Sequence, residues 1–177
     1  NVTLAGNGTP SVTAGSGSIS GGDYVTGSIS SDETATIRYT VAANGACSAT
    51  TADASFTVND NPSSATNTTP TSDVCEGTNV TLAGTGTASI TAGSGSISGG
   101  DYVTGNIGSD ETVTIRYTVA ANGQCAGSTA DQSFTVNSAP TAAANTTPTS
   151  DVCEGTNVTL AGTGTASITA GSGSISG

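Results

Sequence analysis

The side chains of this sequence that could do chemistry are carboxylates and hydroxyls. Acid–base catalysis most often uses histidine, and a serine nucleophile normally needs a neighbouring histidine or lysine. The sequence contains no histidine and no lysine. Its closest pair of carboxylates is Asp110 and Glu111, but adjacent residues of a strand point to opposite faces and cannot flank one substrate. The sequence therefore predicts a protein that is not an enzyme.

Acidic residues that recur along the chain raise the alternative of a structural calcium site. Calcium prefers oxygen ligands, and serine- and threonine-rich loops could complete its shell. No Asp-x-Asp-x-Asp-Gly loop is present, so the favoured interpretation is exposed turn carboxylates without a cofactor. The candidate calcium ligands are Asp101, Asp110, Glu111 and Asp131.

A near-exact repeat organises the whole sequence. The hexapeptide NVTLAG stands at 1–6, 79–84 and 157–162, which is a period of 78 residues. Residues 67–99 and 145–177 are identical. We therefore interpret the chain as part of a longer tandem array. The predicted division is a repeat without its first strand at 1–58, a linker at 59–70, a complete repeat at 71–136, a linker at 137–148, and the start of a third repeat at 149–177.

The pattern of apolar residues within each period is typical of strands. In the segment TVTIRYTVA at 112–120, the residues Val113, Ile115 and Tyr117 alternate with polar residues, which predicts a strand with one buried face. The dipeptide Asn122-Gly123 predicts a hairpin, and Ser98-Gly99-Gly100 predicts a turn. Short strands with frequent turns and no sustained helical spacing predict an all-β antiparallel sandwich for each repeat.

Four cysteines could stabilise repeats that have few large apolar residues. If Cys75 pairs with Cys125 inside one repeat, Cys47 and Cys153 have partners outside this sequence. Closing this loop would add about 4 kcal/mol of stability in the chain-entropy model. The alternative pairs Cys47 with Cys75 and Cys125 with Cys153, across the linkers. We favour the first scheme; either one implies an oxidising, extracellular setting.

Composition and charge restrict the partners of the chain. Threonine and serine make up one third of it, and the formal net charge is −11. This charge disfavours nucleic acid and anionic membranes, and no membrane insertion is expected. Asn-x-Ser/Thr sequons predict covalent glycans on a secreted protein. The candidate glycosylation sites are Asn67, Asn145, Asn79, Asn157, Asn1 and Asn7.

Three segments carry a family resemblance: DVCEGTNVTLAGTG at 151–164, TIRYTVAANGQC at 114–125 and DQSFTV at 131–136. They resemble the immunoglobulin-like and PKD-like tandem repeats of Bacteroidota-type secreted surface proteins. The chain departs from such repeats in having no tryptophan. The resemblance implies Ig-like β-sandwiches arranged as beads on a string or as a filament, in a stalk, adhesin shaft or fibre.

These features together predict a structural repeat of an extracellular fibre that associates with itself. The alternative is an adhesive module that binds glycan or Ca²⁺ and gains avidity from repetition. Tyr102 and its counterpart Tyr24 are the candidate aromatic platform for a sugar. Near-identical repeats can also exchange strands, and residues 149–156 are a spare copy of the segment TSDVCEGT at 71–78. Strand exchange between chains is therefore a further hypothesis.

Overall fold

The computed structural model describes residues 1–176, and this part of the chain contains strands and no helix. The prediction of an all-β protein is confirmed. The chain divides into two compact units, the first comprising Asn1–Asn137 and the second beginning at Ser138. The first unit contains two repeats, which are called repeat 1 (residues 1–59) and repeat 2 (residues 71–137) below.

Repeat 1 consists of two antiparallel three-stranded sheets. Its strands are β1 (Val2–Thr3), β2 (Thr9–Ala14), β3 (Ser18–Ser20), β4 (Asp23–Val25), β5 (Glu33–Val41) and β6 (Thr50–Val58). One sheet has the strand order β1-β4-β3 and the other the order β2-β5-β6. β5 and β6 pair over nine residues each and form the longest ladder of this repeat.

Repeat 2 has the same two sheets with one additional strand on the larger sheet, and a further short strand, β10 (Gly84–Thr85), that belongs to neither of them. Its strands are β8 (Val74–Cys75), β9 (Asn79–Thr81), β10 (Gly84–Thr85), β11 (Thr87–Ala92), β12 (Ser96–Ser98), β13 (Asp101–Val103), β14 (Glu111–Val119) and β15 (Ser128–Asn137). The sheets have the orders β12-β13-β9 and β11-β14-β15-β8. The added strand β8 lies parallel to the end of β15, with Val74 opposite Val136 and Cys75 opposite Asn137.

The alternation of residues in β14 explains how the two sheets of repeat 2 pack together. Val113 and Ile115 are fully buried, and Tyr117 is nearly so. They form one core with Val80 and Tyr102, which belong to the facing sheet. On the outer face Arg116 forms a bidentate ion pair with Asp131 of β15. The result is a sandwich of two sheets around a single apolar core.

An aromatic pair stands at the centre of each core. The rings of Tyr102 and Phe134 meet edge to face with centroids 5.3 Å apart, and those of Tyr24 and Phe56 do the same at 5.2 Å. Edge-to-face contacts of this kind add to the stability that burial gives. Burial, and secondarily the nearby Glu111 charge, raise the pKa of the Tyr102 phenol. In place of a tryptophan, these pairs fill the middle of the sandwiches.

Glycine makes the tightest turn of the smaller sheet possible. β12 and β13 are joined by Gly99 and Gly100, which have φ angles of 62° and 92°. Two-residue hairpins whose central residues both have positive φ strongly favour glycine. The turn expected at Ser98-Gly99-Gly100 is thereby found, and it sets the register that places Tyr102 in the core.

The segment at 59–70, expected to be a linker, packs along repeat 2. It contains β7 (Thr66–Asn67), which pairs with β10. The Thr69 side chain is buried, and the Thr68 amide donates to the Ala83 carbonyl at 2.8 Å. These local bonds give the segment a fixed path over the second sandwich.

The second unit, described by itself, shows the same local pairing. β16 (Ala144–Asn145) pairs with β17 (Gly162–Thr163), 78 residues after the corresponding pair β7 and β10. The Thr156 amide donates to the Cys153 carbonyl at 3.1 Å, which closes a turn over residues 153–156. This unit contains all but the first residue of the segment predicted as a linker at 137–148, and it contains the predicted start of a third repeat.

Candidate functional site at the junction between repeats

The end of repeat 1 is joined to repeat 2 by the hairpin that precedes β15. This hairpin is closed by two backbone hydrogen bonds between Asn122 and Cys125, of 3.0 and 2.8 Å. The Asn122 Nδ2 donates to the Asp32 Oδ1 at 2.7 Å and to the Asp60 carbonyl at 3.0 Å. One side chain of repeat 2 thus binds both a loop of repeat 1 and the chain that leaves repeat 1.

The carboxylate of Asp32 is the centre of this junction. Besides Asn122, it accepts the Asp60 backbone N–H at 2.8 Å and, more weakly, the Asn59 Nδ2 at 3.4 Å. The Asp60 amide, followed by the Asn122 side chain, holds the pKa of Asp32 below its ordinary value. These donors favour the ionised form of the Asp32 carboxylate.

Gly123 brings the hairpin into close contact with repeat 1. A Cβ atom at this position would overlap the Asn59 side chain, whereas a Cβ atom at the equivalent Gly45 would meet nothing within 4 Å. Cys125 follows in the same hairpin, and its Sγ donates to the Asn59 carbonyl at 3.5 Å. Repeat 2 therefore contacts Asn59 at both its side chain and its backbone.

The chemistry that this arrangement supports is attachment. Its groups are a carboxylate, amides and a thiol, and the donors Asn122 Nδ2 and Cys125 Sγ point at acceptors of the neighbouring repeat. Hydrogen bonds to a charged acceptor contribute more to stability than neutral ones. A small polar contact can thereby fix the direction of one repeat against the next.

The four candidate calcium ligands lie in different settings. Glu111 accepts the Ser94 amide at 2.9 Å and the Ser94 hydroxyl at 2.6 Å. Asp131 accepts two hydrogen bonds from the Arg116 guanidinium, of 2.7 and 2.6 Å. Asp101 is the first residue of β13, and Asp110 is the repeat-2 counterpart of Asp32. Within residues 1–176, no group of three or more acidic, cysteine or histidine side chains lies together to hold a metal.

The cysteines predicted to pair inside repeat 2 lie near opposite ends of one strand. Cys75 is opposite Asn137, the last residue of β15, and Cys125 precedes Ser128, its first residue. Ten residues of extended chain span about 30 Å, far beyond the reach of a disulfide. All four cysteines are unbonded, so the structure brings neither this pair nor the cross-linker pairs into a bond.

The predicted glycosylation sites differ in exposure. Asn67 is half-buried, and its Nδ2, the atom that carries an N-glycan, donates to the Ile115 carbonyl at 2.8 Å. The other candidate asparagines, which are exposed, are Asn1, Asn7, Asn79, Asn145 and Asn157.

The aromatic platform expected for a sugar is absent from the surface at the predicted positions. Tyr102 and Tyr24 have no exposed area. The Tyr102 hydroxyl donates to the Ser94 carbonyl, and the Gly17 amide donates to the Tyr24 hydroxyl at 3.0 Å. Both tyrosines are therefore core residues, and their prediction as sugar-binding residues is wrong.

Comparisons with known proteins give no relative: no family model, no curated protein and no solved structure matches this chain. None of the residues 1–176 forms a helix with the length and apolar character needed to cross a membrane.

Sequence reasoning missed the role of Asp32 and Asn122. These residues are 90 positions apart in the sequence, and no local pattern connects them. Their recurrence was a usable signal, because Asp32 returns as Asp110 and Asn122 already occurs as Asn44. A polar residue repeated outside the strand pattern is a candidate for contact between repeats.

A matched pair of glycine substitutions tests the junction. Gly123 and Gly45 have φ angles of 55° and 60°, so alanine introduces similar backbone strain at both. Only Gly123→Ala also displaces the Asn59 side chain. We expect Gly123→Ala to lower the free energy of unfolding by about 1 kcal/mol more than Gly45→Ala, the size of one lost hydrogen bond, in urea titrations. Equal losses would contradict the contact.

Acid should weaken the junction through Asp32. The folded-state pKa of this carboxyl lies below its ordinary value of 3.8. Its stabilising effect is therefore complete above pH 3.8 and is lost as the pH falls through the folded-state pKa. We expect wild type to be more stable than Asp32→Asn near pH 6, and the difference to shrink between pH 4 and pH 2 in urea titrations. A difference independent of pH would refute this role.

Proposed function

We propose that this chain is a structural repeat of an extracellular fibre, stalk or adhesin shaft and has no catalytic activity. Each 78-residue period is an Ig-like β-sandwich, and consecutive periods join through the Asp32-type contact. The protein is secreted or displayed at the cell surface, carries covalent glycans on exposed asparagines and hydroxyls, and assembles with further copies of itself. Its role is to provide length and stiffness.

The observation that carries this proposal is the contact of Asp32 with Asn122. Repeats that are joined only by flexible linkers do not need a carboxylate that binds groups of both repeats. Here the linker amide of Asp60 and the Asn122 side chain bind the same Asp32 oxygen, at 2.8 and 2.7 Å. An interface that includes the linker itself resists bending, which is the property that a shaft requires. Stacking through nearest-neighbour contacts is also the usual basis of repeat proteins.

The outer surface of the sandwiches fits an extracellular role. Hydroxyl groups bridge neighbouring strands, as between Thr114 and Ser133 and between Thr36 and Ser55, both at 2.8 Å. Cross-strand hydroxyl pairs stabilise sheets without apolar side chains. A surface rich in hydroxyls is also rich in acceptors for O-linked sugars, which would cover exposed sheet edges and limit unwanted strand pairing.

Imaging of longer arrays tests the shaft proposal. Eight tandem copies of the 78-residue period should form rods in electron micrographs, and rod length should rise by a constant increment with each added copy. Replacing the residue equivalent to Asn122 by alanine in every copy should shorten the persistence length, because each junction loses two hydrogen bonds. The matched control is serine in place of Gln124, which lies in the same hairpin. Collapsed particles, or rods that the alanine variants leave equally stiff, would contradict the proposal.

A further inference from the structure

The hairpin at the junction contains a dipeptide whose two residues can react with each other. Asn122 is followed by Gly123, and in an asparagine–glycine pair the backbone nitrogen of the glycine can attack the side-chain amide of the asparagine. Glycine favours this attack because it has no Cβ atom to hinder the approach. The same dipeptide occurs at 7–8 and 44–45. At 122–123 its side-chain amide is also the donor that joins repeat 2 to repeat 1.

The reaction exchanges an amide for a carboxyl group, and water is its only co-reactant. The Gly123 nitrogen forms a bond to the side-chain carbonyl carbon of Asn122, and the bond from this carbon to Nδ2 breaks. Ammonia leaves with the proton of the Gly123 amide, and a cyclic imide remains. Water then opens one of the two C–N bonds of the imide ring. The product is aspartate or isoaspartate, in which the main chain runs through the side-chain carbon.

The hydrogen bonds of the folded junction oppose the closure of this ring. Asn122 Nδ2 donates to the Asp32 Oδ1 at 2.7 Å and to the Asp60 carbonyl at 3.0 Å. The side chain is thus held toward repeat 1, whereas ring closure requires it to turn back onto Gly123. The Asn122 backbone is also fixed, by its two hydrogen bonds with Cys125.

The Asn59 side chain restricts the other reacting residue. A Cβ atom at Gly123 would overlap the Asn59 amide group, so the two residues are in close contact. A movement of the peptide unit between Asn122 and Gly123 therefore requires Asn59 to move away. Asn59 belongs to the end of repeat 1, as Asp32 does to one of its loops. Separation of the two repeats removes both restraints together.

The product of the reaction cannot restore the junction. Aspartate at position 122 would place a carboxylate oxygen where Nδ2 now lies, opposite the Asp32 carboxylate and the Asp60 carbonyl oxygen. Two like charges at hydrogen-bond distance repel each other, and none of these oxygens has a proton to donate. Isoaspartate would also add one atom to the main chain of the hairpin, which disturbs the pairing of Asn122 with Cys125.

We propose that Asn122 is a deamidation site that is protected while repeat 1 and repeat 2 are joined and reacts when they separate. Each reaction converts the donor of the junction into an acceptor that repels Asp32. The junction is thereby loosened irreversibly, and the fraction of aspartate and isoaspartate at position 122 records how long it has been open. The inference rests on the junction contacts and not on the fibre function.

The rate of deamidation tests this protection. Wild type, Asp32→Ala and the control Ser31→Ala, which changes the exposed neighbour of Asp32, are incubated in warm neutral buffer. Peptide mapping by mass spectrometry then gives the rate constant at Asn122. We expect wild type to react at least ten times more slowly than the same chain unfolded in guanidinium chloride. Asp32→Ala should react at least five times faster than wild type, because a lost hydrogen bond raises the population of the open junction. Ser31→Ala should react at the wild-type rate.

Asn44 shows whether a variant acts by unfolding repeat 1. It precedes Gly45 in a hairpin of that repeat, closed by two backbone hydrogen bonds with Cys47 of 3.1 and 3.0 Å. Asp32→Ala should leave the rate at Asn44 unchanged. Equal acceleration at Asn44 and Asn122 would show that Asp32 acts through the folding of repeat 1, and would overturn the proposal. A wild-type rate at Asn122 in the Asp32→Ala chain, or a folded rate equal to the unfolded one, would do the same.

The variant Asn122→Asp tests the effect of the product. The Asp60 amide, which donates to Asp32 at 2.8 Å, reports the state of the junction through its hydrogen exchange, measured by NMR. Asn122→Asp should raise this exchange rate at least tenfold over wild type and above that of Asn122→Ala, because a carboxylate repels Asp32 whereas alanine only removes the donor. Gln124→Asp adds the same charge at an exposed position of the hairpin and should leave the rate unchanged. Equal rates in Asn122→Asp and wild type, or in Asn122→Asp and Gln124→Asp, would contradict the loosening.

Discussion

The charged carboxylate of Asp32 is the interaction on which the arrangement of the repeats depends. It receives a backbone amide from the chain that leaves repeat 1 and a side-chain amide from the hairpin of repeat 2, at 2.8 and 2.7 Å. One acceptor thus ties together a sandwich, the connecting segment and the next sandwich. Because the acceptor and its donors come from distant places in the sequence, the contact forms only when both repeats are folded.

The sandwiches that meet at this junction are built from few large apolar residues. Each relies on an edge-to-face pair of tyrosine and phenylalanine, and on a central strand whose alternate apolar residues are buried. Small domains bury a limited fraction of their surface and are correspondingly marginal in stability. Contacts between repeats add to the stability that such cores provide.

The local features of the fold could be predicted from the sequence, because they depend on neighbouring residues. The alternation around Ile115 predicts the central strand, and the pair Asn122-Gly123 predicts the hairpin; both are present. The sequence leaves Tyr102 as the candidate sugar platform. The structure shows why its face is not readable from the pattern: its strand has only three residues. Contact with Phe134 of the facing sheet buries the Tyr102 side chain.

The candidate site was less accessible to sequence reasoning, since its contacts are long-range. The spacing of Cys75 and Cys125 suggests a bond within one repeat, but spacing does not reveal that β15 runs between them. The role of Asp32 depends on a residue 90 positions away. In the first case the course of β15 within the repeat keeps the two cysteines apart. In the second case the stacking of one repeat on the next decides which groups meet, and the pattern of a single repeat contains no information about that stacking.

Residual dipolar couplings of backbone amides, measured by NMR on the weakly aligned chain, test most directly whether the junction is rigid. They report the orientation of repeat 1 and repeat 2 independently. If Asp32 fixes the junction, one alignment tensor should fit the couplings of both repeats, and Asp32→Ala should make the two tensors differ in magnitude. Two different tensors in the wild-type chain would contradict the account, because they would show that the repeats move separately.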